Sequence, residues 1–207
     1  MKLAQCRNLL VFGGSFDPPH LAHVKLPALV QKSIGADGVA YIPTAQQPLK
    51  TACHLASTEH RLAMLKLAVS HLPDALILTD ELNRPGPSYT IDTLGHFHRE
   101  HGTAELYFLM GADSLRDLPT WKDPVGICQI ATPVVVDRGG ADSLDLSGLE
   151  GLLSPERLAA VRTHRVVMPR IDISGSDLRS RVAAAKSIRY QTPRAVEKYI
   201  ETGGLYR

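Results

Sequence analysis

The sequence predicts an α/β protein with a Rossmann-like, doubly wound sheet, mainly parallel, of about six strands with helices on both faces. Short apolar, β-branched runs typical of buried strands alternate with longer segments of helical apolar spacing. A glycine pair follows the first such run and predicts a tight turn from strand into helix. Hydrophobic residues at 44% and charged residues at 21% are ordinary for a globular chain.

The elements follow one another in a regular order along the chain. Predicted strands cover residues 9–12, 39–42, 75–78, 105–110, 130–136 and 165–168. Helical patterns separate them, with Ser57 and Ser174 as candidate N-caps. The proline-rich stretch 80–90 is predicted as a polar loop that opens a helix. Strand–helix–strand units of this kind imply parallel pairs with right-handed crossovers.

Size and charge restrict the classes of function. At 207 residues we expect a single domain, 1–207, with a C-terminal helical segment from about 174. The net charge of +2 gives no argument for nucleic acid or membrane as a partner, and no stretch approaches the ~20 apolar residues of a membrane span. The first strand follows the N-terminus so closely that we expect no cleavable signal. Three widely spaced cysteines predict a reducing cytoplasm.

One stretch after the first strand combines a turn, a helix start and two histidines. It reads Gly13-Gly14-Ser15-Phe16-Asp17-Pro18-Pro19-His20-Leu21-Ala22-His23. A strand, a tight loop and a helix start direct backbone N–H groups and a partial positive charge towards an anion. His20 and His23 are three residues apart and share one helix face. A lone His-x-x-His is more often solvated, but its occurrence with the other features favours a phosphate site.

This stretch resembles the GxFDPxHxGH signature of the nucleotidyltransferases related to class I aminoacyl-tRNA synthetases, with Ala22 in place of the last glycine. Two further blocks resemble a narrower family, the nicotinate-nucleotide adenylyltransferases. The first contains Arg84, Ser88-Tyr89-Thr90 and Thr93-Leu94, which match R-x-G-x-S-Y-T-x-D-T-L. The second is Gly111-Ala112-Asp113-Ser114, followed by the single tryptophan, Trp121, and matches G-A-D-S…W.

Two weaker blocks complete the resemblance. Lys50, in Pro48-Leu49-Lys50, occupies the position of the lysine in the family's Pro-His-Lys. Residues 173–179 resemble the family's I-S-S-T-x-I-R, with Gly175 and Ser176 replacing its serine and threonine. A helix N-terminus next to Arg179 would form a second anion site.

The resemblance implies transfer of AMP from ATP to nicotinate mononucleotide, which yields nicotinate adenine dinucleotide and pyrophosphate. It implies catalytic roles for His20, His23 and Arg179 and no metal held by the protein, since Mg²⁺ would bridge substrate phosphates. ATP would be bound by Gly13, Gly14, Ser15, Phe16, Lys50, Asp113, Ser174 and Ser176. Nicotinate mononucleotide would be bound by Ser88, Tyr89, Thr90, Trp121 and Arg138. Both partners are small molecules, and the sequence leaves homo-oligomerisation open.

Other functions remain open at this stage. Phosphopantetheine adenylyltransferases share the first signature and the reaction type but lack the Ser-Tyr-Thr and tryptophan blocks. Ala22, Leu49 and Gly175 would also suit a non-catalytic nucleotide-binding module. A metal-binding protein could use His20 and His23, although two histidines without a third ligand give a weak site. On a helix, the side chains of His96 and His98 point to nearly opposite sides and cannot share an ion.

Overall fold

A computed structural model describes residues 6–45, 56–100, 102, 104–137, 146–163, 166–167 and 172–207. Its centre is a sheet of order β3-β2-β1-β4-β5-β6 in which every neighbouring pair is parallel. The strands are β1 (Asn8–Gly14), β2 (Gly38–Pro43), β3 (Ala75–Ile77), β4 (Glu105–Gly111), β5 (Ala131–Asp137) and β6 (Val166–Val167). The predicted parallel α/β sheet is therefore confirmed. Five strands have three to seven residues, and β6 is a two-residue edge strand.

Helices connect the strands and follow the last one. They are α1 (Leu21–Ile34), α2 (Thr58–Val69), α3 (Asp80–Asn83), α4 (Thr90–Glu100), α5 (Ala112–Asp117), α6 (Pro124–Ile130), α7 (Pro155–Thr163), α8 (Gly175–Ala183) and α9 (Arg194–Gly203). Both predicted caps form, because the Ser57 and Ser174 hydroxyls accept from the backbone N–H groups of His60 and Asp177. The predicted loop 80–90 contains one unpredicted turn of helix, α3.

Two apolar clusters cover the two faces of the sheet. Along β1, Leu9 and Val11 belong to one cluster, whereas Leu10 belongs to the other. This alternation follows from the two-residue period of a strand. The first cluster includes residues of α4, α6 and α7, and the second includes residues of α1, α2, α8 and α9. The prediction of helices on both faces is thus confirmed, and a sheet buried on both sides explains the nearly continuous apolar strands.

The sheet order fixes where a ligand can bind. The chain runs from β1 outwards through β2 to β3 and then returns to β4 on the other side of β1. Ligands of open α/β sheets bind beyond the carboxyl ends of the strands where the order reverses. Here that position lies between β1 and β4. Gly13-Gly14 form the last two residues of β1 and pair with Ile42 and Pro43, so β1 extends two residues beyond its predicted end and the chain turns only after Gly14. Gly111 ends β4, and Ala112-Asp113 begin α5 directly after it.

Candidate active site

A cavity of about 510 Å³ opens at the carboxyl ends of β1 and β4. Its lining includes Phe12–Gly14 from β1 and Phe108–Gly111 from β4. The start of α4 contributes Ser88, Tyr89 and Thr90, and the segment after α5 contributes Trp121 and Lys122. Six residues expected from the sequence to contact a nucleotide therefore line one cavity: Gly13, Gly14, Ser88, Tyr89, Thr90 and Trp121.

The far wall of the cavity is aromatic. Trp121 is partly buried, and its ring centroid lies 6.1 Å from that of Phe108 at an interplanar angle of 67°. Lys122 Nζ lies 4.6 Å from the centre of the Tyr89 ring and 3.0 Å from Asp92 Oδ2. Through these two contacts, Lys122 connects the segment that contains Trp121 to the start of α4. Flat rings on the wall suit a planar heteroaromatic ligand.

The two signature histidines stack on each other at the start of α1. Their ring centroids lie 3.6 Å apart at an interplanar angle of 20°. The backbone N–H of His20 donates to His23 Nδ1 at 3.3 Å. An imidazole nitrogen that accepts carries no proton, so neutral His23 carries its proton on Nε2. His23 can therefore donate one hydrogen bond through Nε2 without being charged.

Burial determines the charge of His23. It lowers the pKa of His23 well below the usual value, and the neighbouring His20 lowers it further. The ring of Phe16 meets that of His23 edge-on at 5.1 Å and contributes to this apolar setting. His23 is therefore neutral at pH 7 in the absence of an anion. A phosphate next to it would favour the protonated form.

Side chains from distant parts of the chain hold the loop between β1 and α1. Arg61 Nη1 donates to the carbonyls of Ser15, at 2.8 Å, and Thr44, at 2.7 Å. Thr192 Oγ1 donates to the Pro19 carbonyl at 2.7 Å. Phe16 is fully buried with φ of 49°, a left-handed conformation that a non-glycine residue adopts only when its surroundings enforce it. The loop is consequently preorganised.

Asp17 is the centre of this network. Its carboxylate is completely buried and accepts from the Tyr206 hydroxyl at 2.6 Å and the Ala56 N–H at 3.1 Å, both on Oδ1. Arg179 Nη1 lies 3.4 Å from Asp17 Oδ2 and donates to the Asp17 carbonyl at 2.6 Å. The buried charge thus has a cationic partner and two hydrogen bonds, as a buried carboxylate requires.

These contacts bring the second predicted anion site to the first. Ser174 caps α8 and also lies 3.1 Å from the Ser176 hydroxyl. A Cβ added to Gly175 would lie 2.8 Å from the Asp17 carbonyl oxygen. Contacts this short essentially never occur, so only glycine lets α8 approach the loop this closely. The hydroxyl that the family pattern has at this position is replaced here by a close backbone contact.

The remaining predicted site residues lie elsewhere. Asp113 is exposed, forms an ion pair with Arg116, and is not among the residues that line the cavity, whereas its neighbours Gly111 and Ser114 are. Lys50 and Arg138 lie outside the described residues. Ala22, which replaces a glycine of the signature, is 5% exposed on the inner side of α1.

Glu81 is a buried acid on the cavity wall that was not predicted as a site residue. Glu81 is 5% exposed, lines the cavity, and accepts from Thr93 Oγ1 at 2.6 Å. Burial raises its pKa, and the hydroxyls of Thr93 and Ser88 oppose that rise. The sequence places Glu81 in a polar, proline-rich stretch, where a solvated acid is the ordinary expectation. No local pattern distinguishes it from Asp80.

The described residues contain neither of two other kinds of site. No group of three or more His, Cys, Asp or Glu side chains among them is arranged to hold a metal ion. None of the helices that the structure describes has the length and apolarity needed to cross a bilayer.

Comparisons with known proteins identify the family to which this chain belongs. Residues 11–181 match the model of the cytidylyltransferase-like family. A "probable nicotinate-nucleotide adenylyltransferase" from Roseiflexus sp. (strain RS-1) is 45% identical over 199 residues, which cover 95% of this chain and 96% of the relative. A protein with the same description from Thermus thermophilus is 39% identical over 197 residues, with 95% and 98% covered.

Solved structures share the fold. Nicotinic acid mononucleotide adenylyltransferase of Plasmodium falciparum complexed with NaAD superimposes with a TM-score of 0.75 at 19% identity, over 97% of each chain. The same enzyme complexed with APC gives a TM-score of 0.70 at 20% identity, also over 97% of each chain. At these identities the likeness supports the architecture, and the nearer sequence relatives support the family.

Proposed function

Since this chain belongs to the nicotinate-nucleotide adenylyltransferases, within the cytidylyltransferase-like family, we propose that it transfers AMP from ATP to nicotinate mononucleotide. The observation that carries the proposal is the cavity, which joins the glycine pair at the end of β1 to an aromatic wall at Trp121. Such a cavity can hold a planar ring at its aromatic end, and its other end reaches Gly14, from which the chain continues to the two histidines at the start of α1. His20, His23 and Arg179 are not among the residues that line it.

The reaction needs positioning more than proton transfer. A 5′-phosphate oxygen of the mononucleotide attacks the α-phosphorus of ATP, and the bond from that phosphorus to the bridging oxygen breaks. Pyrophosphate leaves with the electron pair. The nucleophile is already anionic at neutral pH, so no general base is required. Holding both reactants in line can contribute roughly 7–11 kcal/mol, and oriented donors add electrostatic stabilisation.

His20, His23 and Arg179 are the proposed donors to the triphosphate. His23 Nε2–H supplies a neutral donor, and a phosphate next to it would favour the protonated form of the imidazole. The contacts of Arg179 with Asp17 use Nη1, and a guanidinium carries further N–H groups on Nε and Nη2 that can meet a phosphate. Ser15, Phe16, Lys50, Asp113, Ser174 and Ser176 stay predictions for ATP binding.

The aromatic end of the cavity is the proposed site of the pyridine ring. Trp121 would cover the ring face, and the free N–H groups at the start of α4 would meet the nicotinate carboxylate. The amide of nicotinamide would instead direct its own N–H groups at backbone donors. Unpaired polar groups of this kind can produce large discrimination between near-isosteres. Arg138 stays a prediction for the same substrate.

Three companion proposals complete the account. Mg²⁺ would arrive on the phosphates of ATP, held mainly by phosphate oxygens and water, and would offset the charge that develops on pyrophosphate. The chain would act as a single catalytic domain, whether as a monomer or a homo-oligomer. It would work in the cytoplasm, as its cysteine usage indicates.

Pyrophosphate release tests the proposal. The purified protein is incubated with ATP, Mg²⁺ and one acceptor at a time: nicotinate mononucleotide, nicotinamide mononucleotide or phosphopantetheine. We expect pyrophosphate and an equal amount of nicotinate adenine dinucleotide with the first acceptor. Turnover with phosphopantetheine alone, or ATP binding without turnover on any acceptor, would overturn the assignment.

A further inference from the structure

Glu81 supplies a hydrogen-bond acceptor that the protein itself does not fully use. Its Oε1 receives the Thr93 hydroxyl at 2.6 Å. Its Oε2 is buried and has no hydrogen-bond partner among the described residues. Buried polar atoms are normally paired, so an unpaired carboxylate oxygen on a cavity wall points to a ligand donor.

The carboxyl group is held in a fixed orientation. Thr93 Oγ1 donates to Glu81 Oε1 and receives Arg84 Nη2 at 3.2 Å. Thr93 therefore acts as a donor to Glu81 and an acceptor from Arg84. The adjacent Ser88 hydroxyl accepts from the Ala45 N–H at 3.1 Å, which attaches the start of α4 to the segment after β2. The Ser88 hydroxyl also interacts with the Glu81 carboxyl group and opposes the rise that burial causes in its pKa, but Oε2 forms no hydrogen bond with the described residues and stays available to another donor.

The chemistry of the proposed substrate leaves few donors to choose from. At neutral pH the carboxylate and the phosphate of nicotinate mononucleotide are predominantly acceptors, and the pyridinium nitrogen is quaternary. The principal donors are the 2′- and 3′-hydroxyls of the ribose. We infer that Glu81 is a binding residue for the pyridine nucleotide, whose Oε2 accepts a hydrogen bond from one ribose hydroxyl. This inference rests on the proposed function.

The contact would add specificity at a part of the substrate that neither Trp121 nor the histidines are proposed to touch. A carboxylate accepts hydrogen bonds and donates none. It therefore favours a ribonucleotide over its deoxy analogue. Its negative charge would also attract the positively charged pyridinium ring and repel the nicotinate carboxylate, which would then lie on the side of the ring away from Glu81.

Binding measured by calorimetry tests the inference with Glu81→Gln. Because Thr93 Oγ1 already accepts a hydrogen bond from Arg84 Nη2, its proton is directed at residue 81 and needs an acceptor there. The glutamine oxygen should therefore face Thr93, and the NH₂ group should take the position of Oε2. We expect nicotinate mononucleotide to bind at least ~10-fold more weakly, with the affinity for an ATP analogue unchanged. Asp80→Asn is the matched control, because Asp80 is the adjacent acid, half-exposed, and paired with His96.

The 2′-deoxy and 3′-deoxy mononucleotides identify the contact. For wild type, one of them should bind about as weakly as the natural nucleotide binds to Glu81→Gln. Combining that analogue with the variant should cost little more, since both changes remove one hydrogen bond. Additive losses with both analogues, or unchanged affinity in Glu81→Gln, would overturn the inference. If the glutamine variant folds poorly, Glu81→Ala can be combined with the same deoxy analogues in its place.

The proposed function and this inference fail in different ways. If wild type turns over ATP with nicotinate mononucleotide while Glu81→Gln binds it normally, the function stands and the role of Glu81 is refuted. If wild type binds no nicotinate mononucleotide, the proposed function itself is refuted.

Discussion

Tyr206→Phe removes one hydroxyl near the C-terminus and should destabilise a loop almost 200 residues away in sequence. The hydroxyl donates to the buried Asp17 carboxylate at 2.6 Å, and the two residues are 189 positions apart. A hydrogen bond to a charged group contributes about 1.5–3 kcal/mol. Asp17 Oδ1 keeps the Ala56 N–H, so the lower half of that range is expected.

The free energy of unfolding is measured by urea denaturation and checked by the thermal midpoint. A loss in the lower half of that range, about 1.5–2.3 kcal/mol, corresponds to a fall of roughly 3–9 °C for a chain of this size. Tyr190→Phe is the matched control, because Tyr190 is 80% exposed and loses the same atom. Equal stability of the two variants would refute the claim that Tyr206 holds Asp17.

The free energy of unfolding of wild type and of Tyr206→Phe can also be compared as a function of pH. Burial and then the bond to Asp17 raise the pKa of Tyr206 above its usual value. The stabilisation is therefore fully present below the pKa of the unfolded tyrosine, about 10. It is lost as pH rises through the folded pKa, because the unfolded state then binds fewer protons. The stability difference between wild type and Tyr206→Phe should be constant from pH 7 to 9.

Three further substitutions test the site. His23→Ala should lower kcat more than ~10-fold while leaving the fold intact, because it removes a phosphate donor; unchanged kcat at saturating ATP would contradict this. Gly175→Ser should cost about 1–3 kcal/mol of stability through its clash with the Asp17 carbonyl, while Gly148→Ser, which meets only ordinary contacts, should not. Trp121→Ala should raise KM for nicotinate mononucleotide much more than KM for ATP, and the reverse pattern would move the ring site elsewhere.

The sequence predicted the sheet and its ligand-binding edge because both depend on local signals. Short apolar runs mark the strands, and Ser57 and Ser174 form the caps that their positions indicate. Gly13-Gly14, which lie at the end of β1 and not in the predicted turn, and Ser88-Tyr89-Thr90 reach one cavity because parallel strands place their carboxyl ends on the same edge. Pattern and topology together were sufficient for these features.

Other features depend on contacts between distant segments, which no local pattern encodes. The bond from Tyr206 to Asp17 and the burial of Glu81 in α3 are of this kind. Gly175 shows the same limit: from the sequence it lacks a hydroxyl, but the structure shows a backbone contact that any side chain would block. Asp113 follows a strand end as predicted, yet it is exposed beside Arg116.

The central claim is that the cavity between β1 and β4 receives the acid form of the pyridine mononucleotide. The most direct measurement is kcat/KM for nicotinate and nicotinamide mononucleotide in one pyrophosphate-release assay, at saturating ATP. The account predicts that the acid is preferred at least ~100-fold, roughly 2.7 kcal/mol. The backbone N–H groups at the start of α4 would bind the carboxylate of the acid, whereas the N–H groups of the amide would face these donors without a partner. Equal efficiency on the two nucleotides would contradict it.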